Sequence, residues 1–216
     1  MAWIVDAVKS SIGKKFLMGA MGLLLCLYLA VHLAGNMIFF GGRELFNAYA
    51  HALESIPVLP AIEIALASVF LVHIVLGLIT WFENRGARGR PYAVSQGKGE
   101  RSLANTTMIY SGAVTAAFLV IHVLNLRFAQ RGELGLYGAT VELFSRRGYS
   151  LFYIVCVCVL GTHVWHGFQS ALRTVGLSHP KYTPAIEWIS RLFGVAVGAG
   201  FSSIPLWVLF VLEGQA

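Results

Sequence analysis

Residues 148–172, "GYSLFYIVCVCVLGTHVWHGFQSAL", form a run of 25 residues without Lys, Arg, Asp or Glu. A helix of about 20 apolar residues spans the hydrocarbon core of a membrane, so this run predicts a transmembrane helix. It carries two histidines, His163 and His166. Because a polar ring in hydrocarbon costs free energy unless it has a partner, other parts of the sequence must supply one.

The composition is that of a membrane protein. The 216 residues are 57% hydrophobic and 12% charged, against about 25% charged in soluble domains. Four further charge-free runs cover residues 16–42, 64–82, 102–126 and 192–212. We predict an all-α integral membrane protein, a bundle of five transmembrane helices forming one membrane domain over residues 1–216. The predicted spans are about 15–41, 60–83, 104–127, 148–173 and 190–212.

The basic residues predict the orientation. With the N-terminus in the cytoplasm, 11 of the 16 Lys and Arg residues fall on the inner side and 5 on the outer side, as the positive-inside rule requires. We therefore expect a multi-pass protein of the cytoplasmic (inner) membrane. The net charge of +6 fits this topology and contact with anionic membrane lipid or a partner, and we expect no nucleic acid.

Three flanking segments carry predictions of their own. Residues 1–11 mix apolar and polar side chains, which favours a short interfacial helix before the first span. Residues 43–54 predict a short surface helix on the outer side. The loop 83–101 is the most basic segment, and on the cytoplasmic side it offers a surface where a soluble partner can dock.

Four histidines lie well inside four different predicted spans, and the fifth span has none. At 1.5 Å per residue, His32 and His122 lie about 26 Å and 24 Å from the inner surface, whereas His73 and His163 both lie about 14 Å from it. The sequence thus predicts two level pairs of histidines.

Two level pairs on facing helices suit two haems, because a low-spin haem iron takes one imidazole on each side of the porphyrin. We predict an outer haem b held by His32 and His122 and an inner haem b held by His73 and His163, between the first four helices. Glycines one turn from three of these histidines leave room for a flat macrocycle; they are Gly35, Gly77 and Gly167.

Other ligands explain the pattern less well. Structural zinc needs Cys or carboxylate ligands beside the imidazoles, and neither is expected at these levels. A proton relay would call for Asp or Glu deep in the spans, where the sequence has none. Covalent c-type haem needs a Cys-x-x-Cys-His motif, which is absent.

His166 differs from His163. The two residues point about 60° apart on one helix, so they cannot bind opposite sides of one iron. His166 also lies nearer the cytoplasmic edge and has no histidine at its level. We expect it to be a hydrogen-bonding neighbour of the inner haem or a helix contact.

Several motifs follow one another on these spans. Besides His73 in the second span, they are "SSIGKKFLMGAMG" (10–22), "HLAGNMIFFGG" (32–42), "FNAYAHAL" (46–53), "NRGARGRPYAV" (84–94), "IHVLNLRF" (121–128) and "HVWHGFQSALRTVGLSHPKYTP" (163–184). In this order they resemble the dihaem cytochrome b membrane subunit of the succinate dehydrogenase and fumarate reductase family, in its single-polypeptide form. The resemblance covers nearly the whole chain.

The resemblance implies a subunit that carries electrons between a cytoplasmic iron-sulfur subunit and membrane quinone, beside a flavoprotein subunit that handles succinate or fumarate. It implies two haems b whose four axial ligands match His32, His73, His122 and His163, and it is compatible with a dimer of such heterotrimers. It favours menaquinone or menaquinol, fumarate reduction and anaerobic respiration, because some relatives oxidise menaquinol with an acidic residue that corresponds to Glu54.

Two further positions follow from the resemblance. Glu54 is the candidate for the quinol site. The alternative role for Glu54 is that of a solvated carboxylate that ends a surface helix. Some relatives carry a proton-conducting glutamate two residues before the fourth ligand, where this chain has Gly161.

Polar residues at the inner edge are candidates for binding haem propionates or lining a second quinone pocket. A guanidinium pairs well with a carboxylate, and the alternative is simple anchoring of helix ends to headgroups. The candidates are Ser10, Ser11, Lys14, Lys15 and Arg173.

Two alternative functions stay open at the level of sequence. One is the cytochrome b subunit of a hydrogenase or formate dehydrogenase, which also places histidines on membrane helices. The other is a transporter or structural anchor without haem.

Overall fold

The computed structural model describes residues 10–86 and 103–212. All regular structure in these residues is helical. The helices are α1 (Ser11–Met37), α2 (Arg43–Glu54), α3 (Leu59–Gly86), α4 (Leu103–His122), α5 (Gly135–Ser145), α6 (Arg147–Thr174) and α7 (Thr183–Trp207). A 3₁₀ turn at Ile38–Gly41 extends α1, and single π turns at Val123–Arg127 and Val208–Leu212 extend α4 and α7.

Five helices are long and apolar enough to cross a membrane, which confirms the predicted fold class. These spans are Ser11–Gly41, Leu59–Gly86, Thr107–Arg127, Arg147–Thr174 and Thr183–Leu212. The chain is therefore a multi-pass membrane protein. The fifth helix begins at Thr183, before the predicted residue 190, because Pro184 suits the first helical turn and the helix continues through the charged residues Glu187 and Arg191.

Two predicted segments fall largely outside the described residues. Of the interfacial helix predicted for residues 1–11, only the last two residues are described. Of the basic loop 83–101, only residues 83–86 are described. The first described helix begins after Ser10, whose hydroxyl accepts a hydrogen bond from the Gly13 N–H at 3.0 Å. This is an ordinary serine N-cap.

Two loops at one end of the bundle form short helices. Helix α2 has the predicted bounds, Arg43–Glu54, whereas α5 was not predicted. The two are joined by Asn47, whose side-chain amide donates to the Leu134 carbonyl and accepts from the Tyr137 N–H, both at 2.9 Å. Phe39 stacks on Tyr137 with ring centres 4.8 Å apart. These contacts hold both short helices over one end of the bundle.

Helices α6 and α7 pack at backbone distance. A Cβ built on Gly161 would lie 2.6 Å from the Gly194 carbonyl oxygen, and a Cβ on Gly194 would meet the Trp165 side chain at 2.7 Å. Along α7, small residues recur every four positions and are buried: Ser190, Gly194, Gly198 and Ser202. Small residues at this spacing let membrane helices approach closely without a hydrophobic driving force.

Four ion pairs among the described residues join different helices or loops near the two ends of the bundle. Lys14 pairs with Glu83, and Arg173 pairs with Glu187 at 2.7 Å. Toward the other end of α3, Glu63 pairs with Arg127 at 2.7 Å, and Glu54 at the end of α2 pairs at 2.6 Å with Arg131 in the loop after α4. Exposed pairs add little stability, but they show which helix ends share one side of the membrane.

Candidate functional site

A single cavity of about 1150 Å³ runs between α1, α3, α4 and α6. It is larger than the roughly 300 to 1,000 Å³ typical of a pocket for one drug-sized ligand. All four histidines from the predicted pairs line it, among mostly apolar residues. Helix α7 contributes only Phe201 and Ile204, in keeping with the absence of histidine from the fifth span.

His32 and His122 face each other at the end of this cavity nearer α2 and α5, the level predicted to be the outer one. Their ring centres are 5.9 Å apart. A metal–imidazole bond is about 2 Å long, so two imidazoles on opposite sides of one metal ion have ring centres about 6 Å apart. The observed separation therefore leaves room for one metal ion between the two rings.

Aromatic rings and one amide surround this outer pair. Tyr28, one turn earlier on α1, stacks on His32 with ring centres 5.3 Å apart and planes at 15°. The Asn36 amide donates to the His32 carbonyl at 2.8 Å. The His122 ring lies between Phe118 and Tyr153. Its Nδ1 is buried and has no hydrogen-bond partner among the described residues, so this ring has a polar atom that the surrounding protein leaves unsatisfied.

His73 and His163, on α3 and α6, form the second predicted pair and lie farther along the cavity from α2 and α5. His73 Nδ1 donates to the Met18 carbonyl at 3.2 Å, because a carbonyl can only accept. The Ser111 hydroxyl oxygen lies 3.0 Å from His163 Nδ1 and 3.1 Å from the Met108 carbonyl oxygen, so it can donate to the carbonyl while accepting from a protonated Nδ1. In a neutral imidazole with Nδ1 protonated, Nε2 carries the lone pair. The His73 ring is thus held in the tautomer that a metal-binding histidine uses, and the Ser111 contact is compatible with the same tautomer of His163.

Contacts between helices show how far apart the two levels of histidines lie. A Cβ on Gly22 would lie 3.2 Å from Cε1 of His73, and a Cβ on Gly112 would lie 3.2 Å from Cε1 of His163. On α1, His32 comes ten residues after Gly22, and on α4, His122 comes ten residues after Gly112. Ten helical residues span about 15 Å. The two contacts agree with each other: both put the two levels about 15 Å apart, and neither depends on an assumed membrane edge.

The same interval holds on α6. Ten residues before His163 stands Tyr153, whose ring centre lies 6.1 Å from that of His122. The two levels are thus ten residues apart on α1, α4 and α6. On α3, the residue ten positions before His73 is Glu63, which pairs with Arg127 and does not line the cavity.

The glycines differ from the prediction in part. Gly77 and Gly167 line the cavity, as expected for residues that leave space beside a histidine. Gly35 does not: the Tyr49 ring of α2 fills the space where its Cβ would be, so the predicted role of Gly35 in admitting a macrocycle is wrong. The sequence reading missed Gly22 and Gly112, because they face histidines on other helices and not on their own.

His166 lies outside the cavity lining. Its ring stacks on that of Trp165 at 4.8 Å with planes at 28°. His166 thus stands apart from the four histidines that line the cavity, and its two predicted roles stay predictions.

The other candidates lie near helix ends. Ser10 caps α1 and Ser11 is exposed, while Lys14, Arg173 and Glu54 are each engaged in the ion pairs described above. None of the five lines the cavity. Lys15, the remaining predicted candidate, does line it, together with Arg85, Asn84 and Thr174.

Five membrane-spanning helices around an apolar cavity with histidines at two levels are typical of membrane b-type cytochromes. The chain is similar to the succinate dehydrogenase cytochrome b558 subunit of Bacillus subtilis (strain 168), with 27% identity over 186 residues, covering 85% of this chain and 88% of the relative. This similarity confirms the resemblance to a membrane cytochrome b of the succinate dehydrogenase and fumarate reductase family. No family model and no solved structure matches the chain.

Proposed function

We propose that this chain is the membrane anchor and electron-transfer subunit of a succinate/fumarate:quinone oxidoreductase. It would connect a cytoplasmic iron-sulfur subunit, itself bound to a flavoprotein subunit, to membrane quinone through two bis-histidine b haems. The observation that carries the proposal is one cavity in which four histidines lie at two levels about 15 Å apart by helical rise. The N-terminus is proposed to be cytoplasmic.

The residues present fit haem b. His32 and His122 are spaced for one metal ion, and His122 Nδ1 has no partner among the described residues. His73 and His163 each have Nδ1 bound by the protein and Nε2 left for a metal. Haem supplies reversible one-electron chemistry when bound, while the protein supplies ligation, spacing and an apolar surrounding.

The function is tested by isolating the chain from its native membrane with its partners. Copurification of a flavoprotein and an iron-sulfur protein, with quinone-dependent turnover of succinate or fumarate, is the expected result. Isolation with a hydrogenase or formate dehydrogenase would support a role as the cytochrome b subunit of that enzyme. Isolation without any redox partner would support the transporter or structural anchor without haem.

We propose that Lys15 and Arg85 bind the carboxylates of the inner haem. Lys15 lies seven residues from Gly22, the residue that faces His73, which is about 10 Å along α1. The Arg85 guanidinium lies 5.5 Å over the Trp81 ring, one turn nearer to His73. Among the described residues, neither cation has an acidic partner, whereas Lys14 and Arg173 do. Cation–carboxylate pairing is therefore better supported at Lys15 and Arg85.

Replacing Lys15 tests this assignment. We expect Lys15→Met to lower the reduction potential of the inner haem, because removing a nearby positive charge favours the oxidised form. A tenfold change in a one-electron equilibrium corresponds to about 59 mV, and we expect a shift of this order in a redox titration with the outer haem unchanged. Lys14→Met is the matched comparison, since its charge is paired with Glu83. A larger shift in Lys14→Met or Arg173→Gln than in Lys15→Met would assign the role to Lys14 or Arg173 instead.

We propose menaquinol as the electron donor and fumarate reduction as the physiological direction, with Glu54 at the quinol site. The support is the position of Glu54 after His32 in the sequence, which corresponds to the acidic residue of menaquinol-oxidising relatives. The name of the relative in Bacillus subtilis, a succinate dehydrogenase subunit, points to the opposite direction for that protein. The Glu54 carboxylate is paired with Arg131 and lies outside the cavity. Any role for it therefore requires quinol to bind at the outer surface, beside the short helices.

The expected result for Glu54→Gln is a several-fold loss of menaquinol oxidation with both haems retained. Glu133→Gln, an exposed carboxylate of the same outer region, serves as the control and should keep the native rate. Equal rates in the two variants would remove the proposed role of Glu54. The ratio of fumarate reduction to succinate oxidation by the native complex tests the direction.

A further inference from the structure

Arg191 on α7 lies between two indole rings. Its guanidinium carbon is 5.7 Å from the centre of the Trp165 ring on α6 and 5.6 Å from that of Trp188 on α7. Cation–π contacts of this kind hold a guanidinium in place without neutralising its charge. The arginine is thus positioned by two neighbours that leave its hydrogen-bond donors available.

The nearest carboxylate on the same helix is bound elsewhere. Glu187 stands four residues before Arg191, the usual spacing for an ion pair along a helix. It instead accepts from Arg173 at 2.7 Å and from the Gln169 amide at 3.2 Å. Among the described residues, Arg191 therefore has no acidic partner.

The arginine stands at the edge of the membrane. It immediately precedes the charge-free run 192–212, at the same end of the bundle as the Arg173–Glu187 pair. The side chains around it on α7 are exposed and apolar, with Trp188, Leu192 and Val195 each more than 60% accessible. In a membrane this surface faces lipid, and tryptophans concentrate at the level of the headgroups.

We propose that Arg191, Trp165 and Trp188 form a binding site for the phosphate of an anionic phospholipid on the side of the membrane that holds the Arg173–Glu187 pair. A guanidinium presents a planar fork of donors that matches a phosphate bidentately. The exposed Leu192 and Val195 continue the surface along the acyl chains. The unpaired charge selects an anionic headgroup over a zwitterionic one, whose own cation would lie beside the arginine.

The proposal is tested by counting lipids that remain bound to the purified complex. After exchange into detergent with phosphatidylglycerol or phosphatidylcholine, native mass spectrometry reports how many of each are retained. We expect the wild-type complex to keep at least one phosphatidylglycerol more than Arg191→Gln, and Arg191→Lys to keep it with lower occupancy. Arg146→Gln, which removes an exposed arginine at the other end of α6, should behave like the wild type.

Four outcomes would overturn the site. Two concern lipid counts: Arg191→Gln retains as much phosphatidylglycerol as the wild type, or the wild type retains phosphatidylcholine as well as phosphatidylglycerol. Release of the lipid by millimolar inorganic phosphate would indicate a site for free phosphate. Loss of a partner subunit from Arg191→Gln with unchanged lipid would indicate a site for a protein carboxylate. Haem content is read in the same samples, so failure of the lipid site is distinguished from failure of the haem assignment.

Discussion

His163→Ala is expected to lose the inner haem and keep the outer one, which halves the haem bound per chain. The reason lies in the geometry of the inner level, where His163 Nε2 is the nitrogen left free by the Nδ1 contact with Ser111. Loss of one axial imidazole removes one of the two bonds that hold a low-spin iron. Electron transfer from the iron-sulfur subunit to quinone should then fall by orders of magnitude.

The matched control for this variant is three residues away on the same helix. His166→Ala removes an imidazole of the same size that stacks on Trp165 and does not line the cavity. It should retain both haems. Two haems in His163→Ala, or the loss of one in His166→Ala, would contradict the ligand assignment. Circular dichroism of both variants checks that the helices are intact.

Gly161→Leu is expected to cost about 3 kcal/mol or more of stability, at the upper end of the range for overpacking. A Cβ at this position meets the Gly194 carbonyl oxygen at 2.6 Å and the Gly198 backbone nitrogen at 3.3 Å. Backbone atoms cannot turn aside as a flexible side chain can, so α6 and α7 must separate. Thermal unfolding followed by size-exclusion chromatography measures the effect.

Gly148→Leu is the control on the same helix, because a Cβ at Gly148 has nothing within 4 Å. It should unfold at nearly the native temperature. Equal stability of the two variants would show that the helices do not pack at backbone distance. The same contact leaves no room at position 161 for a carboxylate side chain between α6 and α7.

Much of the fold was predictable from charge alone. Each of the five membrane-spanning helices coincides over most of its length with one of the charge-free runs, because a buried charge in hydrocarbon is costly whatever its neighbours are. Helix α5 escaped prediction since its formation depends on a distant residue, Asn47, which binds the Leu134 carbonyl and the Tyr137 N–H. The start of α7 was placed too late, because charged residues end a charge-free run without ending a helix.

The candidate site was predictable in its levels but not in its surroundings. Helical rise is a constant of the backbone, so the depths of four histidines could be compared without a structure. Contacts between helices have no such rule. Gly22 and Gly112 face His73 and His163 across the bundle, while Tyr49 from a surface helix fills the space at Gly35. The pairing of Lys14 with Glu83 likewise depends on how α1 meets α3.

The central claim is that four histidines at two levels hold two haems b in one cavity. It is tested most directly by measuring haem per chain in the purified native protein, together with a potentiometric titration of the reduced-minus-oxidised spectrum. The expected result is two haems per chain with low-spin b-type bands that titrate as two separate one-electron components. A protein that binds one haem or none, with full occupancy of its native partners, would contradict the account.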